Sequence, residues 1–326
     1  MRSTRKTLRK LIRAYEVSCR ILLVFFFVGI TIGFFDSVRR SVIRMNIVSV
    51  DELYHEIKSC EQQNISMTDV LSRAIRLHCV LLIKNSTKEK KSIKDSLVWA
   101  SRCNSFSLYN ITKTMPHWWE VFCNTFTNHW KKADWFVFVE PHTYFVPENI
   151  RLFLLPFFNS RDEPVAFGSQ TKHGVLPFII LSIESMRWIT DLESENTTIC
   201  KHFDWNLLND QCLSDVGIEV METRDQYGRH RILPYSPETL LDKAKAKTLN
   251  VGKMRHPIRG GPMCCSSTAF AVMNINEVMR KTAHYFVSIV HTSVAEIDYT
   301  RMSFRQKLEV ALEKAKEGIP PTIMWQ

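Results

Sequence analysis

No Cys-x2-Cys pair occurs in this 326-residue chain, so the usual spacing of a structural zinc site is missing. Internal repeats and low-complexity tracts are absent too, which leaves an ordinary globular core as the expectation. Positive charge is scarce where a nucleic-acid interface would need it. Residues 1–50 hold ten Lys or Arg against Glu16 and Asp36, so the other 276 residues carry only +2 of the net +10. A nucleic-acid partner is therefore not expected. What is plentiful is apolar content: at 45% hydrophobic, the chain can bury one large core or two small ones.

One long hydrophobic run stands near the start. Ile21 to Phe35 is uncharged and almost wholly apolar. It is shorter than the ~20 residues that span a bilayer. Val17 and Cys19 extend it, and Arg20 can snorkel to the headgroups. The basic residues before it favour a cytosolic N-terminus, although Arg39 and Arg40 beyond it reduce the asymmetry. A cleavable signal and a buried core helix are the alternatives, but Asp36-Ser37-Val38-Arg39 is a poor cleavage site. The expected organisation is a cytosolic basic tail at 1–18, a signal-anchor transmembrane helix at 19–36 and a stem at 37–73. An α/β domain at 74–300 and a C-terminal tail at 301–326 follow, the latter with a charged amphipathic helix over 302–316.

The part after the anchor carries four Asn-x-Ser/Thr sites, at Asn64, Asn85, Asn110 and Asn196, each an N-glycosylation candidate. It also carries eight cysteines, an even number that suits disulfides in an oxidising lumen; buried free thiols are the alternative. A Cys79–Cys103 bridge would tie the first strong strand, Arg76 to Ile83, to the helix after it.

The apolar run Trp135 to Val139 is too continuous for a half-exposed strand and predicts a central one, covered on both faces. Glu140, Pro141 and His142 then fall at its carboxyl end, where open α/β sheets bind ligands. Trp119, Phe122, Phe126 and Trp130 recur at helical spacing, which predicts a core-facing stripe on a helix over 118–130. Further strands are expected at 106–109, 165–168, 178–181 and 270–272, and a helix from Cys200 to about Asp215. Strands alternating with helices indicate an α/β sandwich.

Several segments, in order along residues 74–290, are together similar to one family. They are Val98-Trp99-Ala100-Ser101-Arg102-Cys103-Asn104, Ala133-Asp134-Trp135-Phe136, Thr143-Tyr144, Glu148-Asn149-Ile150-Arg151, Leu181-Ser182, Gln211-Cys212, Thr223-Arg224-Asp225 and Gly261-Pro262-Met263-Cys264-Cys265-Ser266. The pattern resembles the core 1 β1,3-galactosyltransferases of glycosyltransferase family 31, which add galactose to protein-linked GalNAc. The resemblance implies a GT-A-like, Rossmann-like luminal domain with a mixed central sheet flanked by helices. It also implies a single-pass type II topology in the Golgi or endoplasmic reticulum membrane, UDP-galactose, a GalNAc-glycoprotein acceptor and Mn²⁺. It suggests a Cys200–Cys212 bridge. The family includes a non-enzymatic member, Cosmc, a dedicated chaperone of the active synthase.

Three departures fall on the chemistry. Where active members carry three consecutive aspartates, this chain reads Glu140-Pro141-His142. His142 and Glu140 become the metal candidates, and Glu140, Pro141 and Tyr144 the nucleotide-binding positions, yet Pro141 has neither a polar side chain nor an N–H. His173 to Phe178 replaces a glycine-rich turn with bulky residues, keeping only Gly174. The catalytic-base pair aligns without gaps on Trp205-Asn206, leaving Asp204, one residue away, as the candidate base. Three functions follow: a non-catalytic, Cosmc-like partner of an active synthase; an active Mn²⁺-dependent galactosyltransferase; or a sugar-binding module.

Overall fold

The computed structural model describes residues 48–57, 66–84, 98–111, 118–171, 174–194, 210–248, 254–276, 278–279 and 302–317. All belong to a unit running from Met45 to Trp325, whereas residues 1–44 lie outside the description. Among the described residues no helix is long and apolar enough to cross a membrane. The expected anchor at 19–36 lies outside them.

Six strands build the main sheet: β1 (Leu77–Lys84), β2 (Ser105–Ile111), β3 (Trp135–Val139), β5 (Val165–Thr171), β6 (Gly174–Ser182) and β7 (Glu219–Met221). Their order is β2-β1-β3-β6-β5-β7. β1 runs parallel to β2 and β3, and β5 parallel to β7, while β6 runs antiparallel to both neighbours. The sheet is mixed, as expected. All five β3 residues are buried, because β3 has a strand on each side and a layer on each face.

One layer holds α3 (Trp118–His129), α5 (Ile183–Ser194) and α6 (Asp210–Asp215). Val121, Phe122, Met186, Ile189 and Leu213 from it meet Phe136, Phe138 and Leu181 of the sheet. Phe122 stands edge-on to Phe138, with centroids 4.6 Å apart. The predicted aromatic stripe fades along α3: Phe122 is buried, Phe126 half-buried and Trp130 exposed, with the Lys131 ammonium over its ring. The side chain of Trp119 is outside the description. Trp130 follows His129, the last residue of the helix, so the helical spacing no longer holds its ring on the core-facing side.

The other layer is aromatic. It contains α4 (Pro147–Leu154), the 3₁₀ stretch Leu155–Asp162, and a three-stranded sheet in the order β4-β9-β8, from Tyr144–Phe145, Ala271–Val272 and Ile232–Leu233. Phe145, Phe153, Phe157 and Phe270 pack there on Phe167 and Phe178 of the main sheet. Helices α1 (Val50–Ile57) and α2 (Met67–Ala74) fall within the stretch read as a stem. Both bury apolar faces, with Leu53, Ile57, Val70 and Leu71 inside. Short α7 (Pro237–Leu241) and α8 (Lys243–Thr248) follow β8. Helix α9 (Phe304–Glu317) forms where the amphipathic pattern predicts it, and buries Leu308, Ala311 and Leu312.

Cys79 in β1 and Cys103, in the turn leading into β2, are disulfide-bonded with Cα atoms 6.2 Å apart. Cys264 and Cys265 bridge each other. Cys200 and the side chain of Cys212 lie outside the description, so the suggested bridge between them does too.

Candidate functional site

The order of winding reverses at β1: β2 lies on one side of it and β3 on the other, both parallel to it. The crevice beyond the carboxyl ends at such a switch point is where open α/β sheets take ligands. Glu140 to Thr143 form the turn that closes this corner, with the Thr143 N–H donating to the Glu140 carbonyl at 3.0 Å. The His142 carbonyl accepts from Ile275 N–H at 3.1 Å, tying the turn to the small sheet. Glu140 is half-buried, Pro141 buried and His142 exposed.

Tyr144, placed by sequence beside these residues, goes elsewhere. It is 2% exposed, and its hydroxyl lies among Arg102 and Glu148, inside the aromatic layer. Burial pushes the phenol pKa up. Asp204 lies outside the described residues, as do Asn64, Asn85 and Asn196. Asn110 sits on the edge strand β2, opposite Ile83. Gly174 opens β6 at φ 150°, and Thr171 Oγ1 donates to its carbonyl at 2.9 Å. From Gly174 to Phe178 the replaced glycine-rich segment is strand rather than an open turn.

Manganese prefers hard oxygen donors. Of the corner residues, Glu140 supplies a carboxylate and His142 an imidazole on the solvent side. No group of three or more His, Cys, Asp or Glu among the described residues is arranged to hold a metal ion. The described donors therefore do not fit Mn²⁺.

Two motif segments have structural work instead. The Arg151 guanidinium, 1% exposed, donates to the carbonyls of Ile75 (3.2 Å) and Arg102 (2.8 Å) and to Asn104 Oδ1 (3.1 Å). Glu148, also buried, faces Arg102 at 3.3 Å. Asp134 receives Arg76 through both carboxylate oxygens, at 2.9 and 2.6 Å.

A second polar site lies beyond the carboxyl ends of β5 and β7. Gly168, Ser169, Gln170, Glu222, Thr223, Arg224, His230 and His256 line a cavity of about 10 Å³. Arg224 pairs with Glu222, and His256 Nε2 lies 3.7 Å from the same carboxylate. Burial, with the nearby charge of Arg224, lowers the His230 pKa to about 4. Sequence reading singled out Arg224 only as part of a motif and missed His230 and His256. No periodicity links two histidines on separate loops, so the sequence offers no signal for them.

No protein-family model matches the chain. Among solved structures, it is similar to the catalytic domain of Drosophila beta1,4galactosyltransferase 7, crystallised with xylobiose. The match has 12% identity and a TM-score of 0.30, and covers 45% of this chain and 64% of that one. The chain thus spans less than two thirds of that neighbour, and a likeness at this level carries no weight for function.

Proposed function

We propose that this protein is a GT-A-like member of the core 1 β1,3-galactosyltransferase family that keeps the scaffold without the transfer reaction, and serves as a folding partner of an active synthase. The apolar run 21–35 supports a single-pass type II topology in the endoplasmic reticulum or Golgi membrane. The observation that carries the reading is the corner after β3. A buried Pro141 stands between half-buried Glu140 and exposed His142, where three aspartates would hold metal and ribose. Inverting transfer needs charge stabilisation at the leaving diphosphate and a base at the acceptor hydroxyl. Loss of either costs orders of magnitude in rate.

The test is calorimetric titration of UDP, with and without Mn²⁺, into purified full-length chain, beside a transfer assay from UDP-galactose to a GalNAc-peptide. No Mn²⁺-dependent UDP binding and no transfer are expected. Measured transfer overturns the proposal and establishes the active alternative, in which Mn²⁺ would be the cofactor. Co-expression with an active synthase, read as the synthase's soluble yield, tests the partner role.

A further inference from the structure

The two described disulfides do unequal structural work. Cys79–Cys103 joins residues 24 positions apart and ties β1 to the turn before β2. Cys264–Cys265 joins neighbours in the chain. In the loop-closure account, a bridge stabilises a fold by restricting the unfolded chain, and the effect grows with the length of the closed loop. Adjacent cysteines close almost no loop, and their sulfurs are never far apart in the unfolded chain. This second bridge therefore adds little to stability, and by the same linkage the fold does little to keep it oxidised.

The loop around it is held without sulfur. The Cys264 N–H donates to the Gly261 carbonyl at 2.9 Å, and the Cys264 carbonyl accepts from His230 N–H at 3.4 Å. Ser266 N–H donates to the His230 carbonyl at 3.0 Å, and Ala269 N–H to the Ser266 carbonyl at 3.1 Å. The Cys264 side chain packs with Leu233, Leu240, Met254 and Ile258. Breaking the S–S bond requires the loss of none of these contacts, so the reduced loop has the means to keep its place. The two sulfurs differ in access. Cys264 is fully buried, whereas Cys265 is half-buried, on a loop where Pro262, Met263 and Ser267 are exposed.

We propose that Cys264–Cys265 is a redox-active pair that accepts two electrons from a dithiol while Cys79–Cys103 stays oxidised. A thiolate of the dithiol bonds to Cys265 Sγ, the accessible sulfur; the bond to Cys264 Sγ breaks, and Cys264 leaves as a thiolate and takes a proton from water. The second thiolate of the dithiol then attacks its own partner sulfur in the mixed disulfide. The dithiol ends as a disulfide, and Cys265 leaves as a thiol. Two electrons and two protons have moved, and oxidation runs the same steps backwards. This activity needs no nucleotide, metal or sugar, so it stands or falls independently of the transfer question and of the partner role.

The experiment is a dithiothreitol titration of the native full-length chain, quenched by alkylation in denaturant and read cysteine by cysteine by peptide mass spectrometry. Before reductant, Cys264 and Cys265 are expected as an intact bridge. They should become alkylated at about tenfold lower dithiothreitol than Cys79 and Cys103, with the thermal melt retained, and the same bridge should return when the reductant is removed. Access also sets an order between two variants. Cys264→Ser, which leaves the accessible thiol, should take glutathione from glutathione disulfide about tenfold faster than Cys265→Ser. If either variant fails to fold, the titration of the parent chain carries the test alone. Two free thiols at 264 and 265 in the untreated protein overturn the proposal. So does reduction of the pair only together with Cys79–Cys103 or with loss of the melt. Equal rates in the two variants overturn the assignment of Cys265 as the attacked sulfur.

Discussion

The two ends of the central sheet are built on opposite principles. At the amino end, several buried polar groups are hydrogen-bonded. Arg76 holds Asp134, Asn104 Oδ1 accepts from Leu77 N–H at 2.9 Å, and Arg151 reaches three acceptors. His78, fully buried, has Ser105 and Ser107 hydroxyls on its two ring nitrogens at 2.7 and 2.9 Å. At the carboxyl end, His142 projects to solvent and His230 Nε2 has nothing to bond. The first end uses polar groups to hold layers together. The second leaves polar capacity open, as ligand-binding ends of α/β sheets do.

Arg151→Met tests the braced end most severely. It removes a buried cation and its three hydrogen bonds and leaves Glu148 with Arg102 as its cation, so a loss of about 3–5 kcal/mol is expected in chemical denaturation. A loss below about 1 kcal/mol would show that the network is ornament rather than brace.

Acid attacks the same end more gradually. Burial, helped by the charges of His129 and Lys132, lowers the His78 pKa from 6.5 to about 3. The unfolded chain then binds a proton that the folded chain refuses. Above pH ~6.5 this costs nothing; as pH falls from there toward 3, stability declines by a few kcal/mol. His230 adds a similar decline down to about 4. Denaturation midpoints measured across this range should fall with pH, and His78→Gln should flatten the decline. A slope unchanged in that variant assigns the acid sensitivity elsewhere.

The smallest effect belongs to the open end. His142→Ala removes an exposed side chain and should move stability by less than about 0.5 kcal/mol. It should also leave UDP titrations in Mn²⁺ as flat as those of the parent chain. UDP binding by the parent chain that His142→Ala abolishes would return His142 to a ligand role.

Much of this was legible in the residues. Continuous apolar character at 135–139 marked a buried central strand, and Glu140 to His142 followed as its carboxyl-end turn. Strand positions near 165–168 and 178–181, and the amphipathic helix near 302–316, rest on periodicity that burial enforces. Neither the β6 reversal nor the small β4-β9-β8 sheet was legible, because pairing partners lie far apart in sequence and local patterns do not encode them.

The sequence by itself determined the main-sheet strands and the amphipathic helices, that most of the net charge lies in residues 1–50, and that the turn after β3 reads Glu140-Pro141-His142. Those are local properties, set by side-chain chemistry and spacing. Only the tertiary structure decided that Tyr144 and Glu148 face the interior with Arg102, and that Arg151 clamps the amino end of the sheet. It alone brought His230, His256 and Glu222 around one small cavity. A hydrogen bond depends on ångström distances between residues dozens of positions apart, and only the folded chain sets those distances.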